Sequence, residues 1–315
     1  ISMTLFSAAS FTIAIPSAIQ VFAWIATALA GRPLLRTPML FALGFVLVFV
    51  IGGVTGVMFA SVPFDQQITD SYFVVAHFHY VLFGGAVFPI LAGVYFWLPK
   101  MSGRMYAERL GQASFWLVFA GFNLTFFPMH VSGLLGMPRR IYTYPTGMGW
   151  DVYNLLATVG AFVLAVGLAA VVANVAWTVR RGAPAGADPW RADTLEWSLP
   201  SPPPPYAFPV IPTVTTAHPN WDVEDRVEDA RRLARGDLVL DDGHQTLATT
   251  VLEGEPDDVL DMPSEELSPL LLALALAVVF TAFLFELWIM SAIGGVLALG
   301  ALALWHRPKR ELQEQ

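Results

Sequence analysis

Five apolar stretches, residues 3–30, 38–60, 72–98, 111–135 and 152–179, are each long enough to cross a bilayer. In hydrocarbon every backbone N–H and C=O must find its partner within the segment, so such stretches fold as α-helices. A sixth stretch, 270–305, is apolar except for Glu286. As one helix it would measure about 54 Å, too long for a single crossing. A hairpin turning near 286–289 fits better. The expectation is an all-α polytopic membrane protein with about seven transmembrane helices, five in one bundle and two in a C-terminal hairpin. A content of 56% hydrophobic and 13% charged residues, with mean hydropathy +0.59, agrees.

Flanking charge sets the orientation. Arg32 and Arg36 follow the first span, Lys100, Arg104 and Arg109 the third, Arg180 and Arg181 the fifth. His306, Arg307, Lys309 and Arg310 follow the last. These ends are expected in the cytoplasm. The loop with Asp65 and Asp70 then faces outward, and so do Arg139 and Arg140, against the rule. A fixed anionic partner on the outer side would explain that pair.

The chain divides into a bundle over 1–181, a linker and acidic segment over 182–267, and a hairpin with a basic tail over 268–315. Residues 201–205, Ser-Pro-Pro-Pro-Pro, are a stiff polyproline stretch, and 182–213 is expected to be a linker without a core. Residues 214–267 carry net charge −11, while the rest of the chain is +3. Such a segment is usually a solvated arm, with a small ordered piece expected over 243–252. The chain opens at Ile1 inside an apolar run, which is expected of a piece lacking its N-terminal part. No phosphate loop or nucleic-acid signature is present.

The chemistry centres on His77 and His79. The chain has no cysteine, which leaves histidine as the metal ligand of choice. At about 100° per residue, positions i and i+2 of a helix point roughly 200° apart. The two imidazoles therefore cannot chelate one metal, but they can serve two cofactors, with Phe78 between them. A histidine in a membrane span tends to be functional, although one facing a water pocket is unremarkable. Neutral imidazole is a common axial donor to haem iron. Arg139 and Arg140 suit carboxylates such as outward haem propionates, or lipid phosphates. Ser17 and Gln20, beside Pro16, could hold water on a proton path or bond another helix. Asp70 could cap the His77 helix or hold a hard cation. His130 lies near the outer end of span four, while His218, His244 and His306 fall in polar or boundary segments.

Together these motifs resemble the second half of subunit I of the haem-copper terminal oxidases of the cytochrome c oxidase type. Val75-Ala-His-Phe-His-Tyr-Val-Leu82, Asn123-Leu-Thr-Phe-Phe-Pro-Met-His130 and Gly136-Met-Pro-Arg-Arg140 carry the resemblance, with Ile13-Ala-Ile-Pro-Ser17 and Phe22-Ala-Trp24 upstream. It covers residues 1–180, and the 195–203 tail looks like bacterial members. The resemblance implies helices eight to twelve of a twelve-helix subunit in a bacterial cell (inner) membrane. His77 would be the proximal ligand of the high-spin haem at the oxygen site and His79 an axial ligand of the low-spin haem. Arg139 and Arg140 would bind the propionates. Two a-type haems, copper held by an absent N-terminal half, and magnesium at Asp70 are implied. So are oxidase subunits II and III, and cytochrome c or quinol as electron donor.

Three departures accompany it. Copper ligands, a redox-active tyrosine and the other axial ligand belong to earlier helices, so this polypeptide alone should not reduce oxygen. Gln20 stands where the family's proton channel usually has lysine, three residues after the hydroxyl of Ser17. Thr69 replaces the histidine expected before Asp70 at the magnesium site. The rival readings are a quinol oxidase, a nitric oxide reductase and a haem-free transporter.

Overall fold

A computed structural model describes residues 2–204, 207–208, 212–222, 227–228, 231, 245–252, 256–261 and 266–307. His244 and the basic tail at Lys309 and Arg310 lie outside the described residues, as does much of the acidic segment. Two compact units are resolved, residues 1–203 with 214–227, and residues 204–213 with 228–315.

The first unit contains α1 (Ser2–Ala30), α2 (Thr37–Ala60), the short α3 (Val62–Ile68), α4 (Tyr72–Leu82), α5 (Phe88–Ser102), α6 (Glu108–Leu134) and α7 (Asp151–Arg181). A π-helical turn, Phe83–Val87, joins α4 to α5 so that they form one span, Tyr72–Ser102. Gly84 in that turn lets α2 close in, since a Cβ there would lie 2.3 Å from Val48 Cγ1. Proline opens α2 and α3, where its missing N–H costs nothing, whereas Pro89 follows the π-turn inside a continuous span. Pro16 lies inside α1 without ending it.

Phe41 and Val48 of α2, Tyr80 of α4, Phe88 and Tyr95 of α5, and Phe115 and Phe122 of α6 form the core. Hydrophobic burial drives no association within lipid, so packing and small residues must do so. α6 and α7 meet through Gly121, Gly160 and Gly167. A Cβ at Gly160 would stand 2.4 Å from the Thr125 backbone nitrogen.

The segment after α7 corrects the expectation of a linker without a core. Strands β1 (Arg104–Met105) and β2 (Ala183–Pro184) pair antiparallel. The chain then folds back under α5, where Trp190 stacks on Phe96 at 5.7 Å and Trp197 is buried. Its composition drew attention to proline, but the two tryptophans anchor it.

In the second unit, β3 (Gln245–Thr249) and β4 (Pro256–Asp261) form an antiparallel hairpin. α8 (Ser268–Leu284) and α9 (Trp288–Trp305) form a helical hairpin, with Glu286 at φ 57° in its turn. Gly294 and Ser291 of α9 lie against Val279 of α8. Among the described residues, six helical segments are long and apolar enough to cross a membrane, and α8 is a shorter apolar helix. Six of the roughly seven expected crossings are therefore long enough to span, and α8, at 17 residues, is the one that falls short.

Candidate functional site

α4 starts at a clamp between two loops. Ser71 caps it, its hydroxyl accepting from the Phe73 N–H at 3.2 Å. The cap is therefore not Asp70, which precedes Ser71 at φ 60° and turns its carboxylate to Arg139. The Tyr72 N–H donates to Met137 O and the Arg139 N–H to Asp70 O, both at 2.9 Å. Gly133 makes the closest approach, since a Cβ there would fall 2.0 Å from the Phe73 nitrogen.

Two turns further along, the imidazoles leave α4 in opposite directions. His77 meets α2, its Nδ1 lying 3.1 Å from Gly52 O and 2.9 Å from Thr55 Oγ1. His79 meets α6 and stacks on Phe126 at 4.1 Å, while its Nδ1 lies 2.8 Å from Val75 O. A carbonyl can only accept, so Nδ1 carries the proton in both rings, and the lone pair is left on Nε2. Neither Nε2 has a partner among the described residues, and both rings are half-buried rather than enclosed. This donor set fits axial ligation of two separate haems: neutral imidazoles, tautomer fixed by backbone, on opposite faces. Phe78 projects between them, 56% exposed.

The remaining expected residues divide. Arg139 Nε donates to Asp70 Oδ1 at 2.7 Å. The side chain of Arg140 is exposed and makes no ion pair or hydrogen bond among the described residues. No group of three or more His, Cys, Asp or Glu suited to a metal occurs among the described residues. Copper thus has no ligand set here, and magnesium does not fit Asp70, a lone carboxylate already held by Arg139. Ser17 donates to Ile13 O at 3.1 Å within its own helix. Gln20 is exposed beside it, and neither bonds another described helix.

Sequence reasoning missed the α2 supports, Gly52 and Thr55. The only signal was a hydroxyl among glycines, Gly52-Gly-Val-Thr-Gly56, in an apolar span. It also undervalued His130, which is 7% exposed and lies edge-on to Phe73 and Tyr80. The Tyr80 hydroxyl donates to Asn123 Oδ1 at 2.7 Å, tying α4 to α6 beside it.

Fold and site define a multi-pass α-helical membrane protein with imidazole donors inside its bundle. The sequence profile of the family described as cytochrome C and quinol oxidase polypeptide I matches residues 1–163. The chain belongs to that family. It is 43% identical over 287 residues to cytochrome c oxidase subunit 1 of Bacillus subtilis (strain 168), covering 91% of this chain and 43% of that protein. Against the Synechocystis cytochrome c oxidase subunit 1 it is 52% identical over 198 residues, covering 63% of this chain and 36% of the relative. The chain thus spans less than half the length of these curated relatives. A cryo-EM structure of a heme-copper terminal oxidase dimer shares the fold, with TM-score 0.51 and 23% identity over 56% of this chain and 36% of that one.

Proposed function

We propose that this chain forms part of the catalytic subunit of a proton-pumping respiratory terminal oxidase of a bacterial cell membrane. That oxidase reduces oxygen to water with electrons from cytochrome c. The observation carrying this reading is the opposed pair of Nε2 donors, each oriented by a backbone carbonyl behind its ring. In this reading His77 would hold the haem at the oxygen site and His79 the low-spin haem. Held there, two a-type haems would supply electron transfer and, with a copper ion bound elsewhere, oxygen reduction. The copper ligands come from outside this chain. Phe78 fills the space between the two imidazole faces, Arg139 and Arg140 present guanidinium to propionates, and Ser17 with Gln20 holds water on a proton path. The partners are the remaining length of subunit I, subunits II and III, and cytochrome c. Quinol as donor is the second reading, because the matched family description includes quinol oxidases.

The test uses the whole oxidase. His79→Ala removes the low-spin haem absorbance, and His77→Ala abolishes carbon monoxide binding, while both variants still insert in the membrane. A pyridine haemochrome spectrum showing no haem in the wild-type assembly would overturn the reading in favour of a haem-free transporter. Unchanged spectra in His79→Ala would overturn the ligand assignment alone.

A further inference from the structure

An apolar cleft of about 310 Å³ opens between α2 and α5, away from the imidazoles. On α5 its wall is Pro89, Ala92, Gly93, Phe96 and Trp97. These positions, i, i+3, i+4, i+7 and i+8, form one helical stripe about 12 Å long. On α2 the wall is Pro38, Met39 and Ala42, the first turns of that helix. No wall residue is charged. The small residues Ala42, Ala92 and Gly93 leave the hollow, and a Cβ added at Gly93 would meet the Trp97 ring at 3.2 Å.

One end of the cleft is basic. Phe96 stacks on Trp190 at 5.7 Å, and the Arg36 guanidinium lies 5.7 Å over the other partner of that stack, the Trp190 ring. Arg36 is exposed and pairs with no carboxylate among the described residues. Arg32 lies four residues before it, and both flank the end that loop charge places in the cytoplasm. Trp97, 46% exposed, has the amphipathic ring favoured at the edge of a bilayer. An apolar slot running into the membrane from an unpaired guanidinium matches one amphiphile: an acyl chain bearing an anionic headgroup.

We infer that the α2–α5 cleft is a binding site for an anionic phospholipid, with one acyl chain along the Pro89–Trp97 stripe and the phosphate at Arg36. Ala42, Ala92 and Gly93 set the width of the slot, and Arg36 sets the preference for negative charge.

The test uses the intact oxidase in detergent, exchanged against vesicles of phosphatidylglycerol or phosphatidylcholine carrying a photoreactive acyl chain. The phosphatidylglycerol probe should label peptides containing Met39 or Trp97. Ala92→Phe fills the slot and should abolish that labelling. Arg36→Gln leaves the slot intact and should cut phosphatidylglycerol labelling about fivefold while leaving phosphatidylcholine unchanged. If Ala92→Phe fails to assemble, Arg36→Gln still decides. Absence of label in the wild type means that a neighbouring helix covers the cleft, and overturns the inference. Equal labelling by both lipids, insensitive to Arg36→Gln, overturns the headgroup site.

Discussion

Arg139 is bound to Asp70 twice over: its guanidinium grips the carboxylate, and its backbone N–H donates to the Asp70 carbonyl at 2.9 Å. The arginine pair therefore already has one internal anion. The guanidinium of Arg139 is neutralised within the chain, whereas that of Arg140 projects from a residue at φ 67° with no protein partner among the described residues. The two arginines are chemically unequal although they are adjacent in sequence.

That inequality predicts unequal variants. Arg140→Gln should weaken haem retention in the assembled oxidase more than Arg139→Gln does, because only Arg140 offers uncommitted charge. Asp70→Asn should cost no more than about 1 kcal/mol in unfolding, since the pair is exposed and backbone bonds still join the loops. Haem per protein is the measurement. Greater loss in Arg139→Gln would show that the guanidinium leaves Asp70 when propionates are present.

His77 owes its tautomer to α2, and the two supports there differ. Thr55→Val removes the hydroxyl 2.9 Å from Nδ1 but keeps the Gly52 carbonyl at 3.1 Å. The ring should stay in place with Nε2 a poorer donor, because outer partners raise the basicity of a ligating imidazole. The iron–histidine stretch in the resonance Raman spectrum should fall in frequency, with activity reduced about tenfold. An unchanged stretch would show that Gly52 alone sets the donor strength.

The sequence made the helices legible because lipid allows so few backbone solutions: 38–60 became Thr37–Ala60, and 152–179 became Asp151–Arg181. The opposed directions of His77 and His79 were also legible, being a property of helix period alone. What was not legible came from tertiary contact. The π-turn at Phe83–Val87 answers the packing of Val48 against Gly84, and Gly-Gly-Ala by itself announces no such turn. Asp70 looked like a cap because Arg139, far along the chain, was not visible as its competitor. Residues 187–200 read as linker without a core because nothing local shows that Lys100 bonds to their carbonyls.

Lys100 makes that last point testable. Its side chain is 5% exposed, and Nζ donates to Ala187 O at 2.8 Å and Leu199 O at 2.7 Å, over the Trp197 ring at 5.1 Å. Hydrogen bonds from a charged donor contribute about 1.5–3 kcal/mol each, and the cation–π contact about 1 kcal/mol. Desolvating the ammonium offsets much of this. Lys100→Met keeps the stem but strands two carbonyls, so it should destabilise the 183–203 segment by about 2 kcal/mol. The bundle should remain folded. Faster hydrogen exchange confined to 183–203 is expected, and exchange equal to wild type would mean that Trp190 and Trp197 anchor the segment without the lysine.

The same segment is also held by residues 218–221, and one partner in that contact is a carboxylate. His218 Nδ1 lies 2.5 Å from Asp193 Oδ2, the ring stacks on Trp221, and the Asn220 N–H donates to Asp193 O at 2.9 Å. The hydrogen bond from His218 holds the Asp193 carboxyl below its ordinary value. A carboxylate that folding favours adds stability above its unfolded pKa, about 3.9, and that addition is lost as pH falls through the lower, folded value. The Asp193 contribution to this contact should therefore be lost as pH falls below about 4. Exchange of the Asn220 amide, followed against pH in the assembled protein, reads this directly. His218→Ala should raise exchange at every pH above 4 and flatten the acid limb. An acid limb identical in the variant would assign the loosening to Asp188, whose carboxylate accepts from the Trp190 and Ala192 N–H groups and from Asn220.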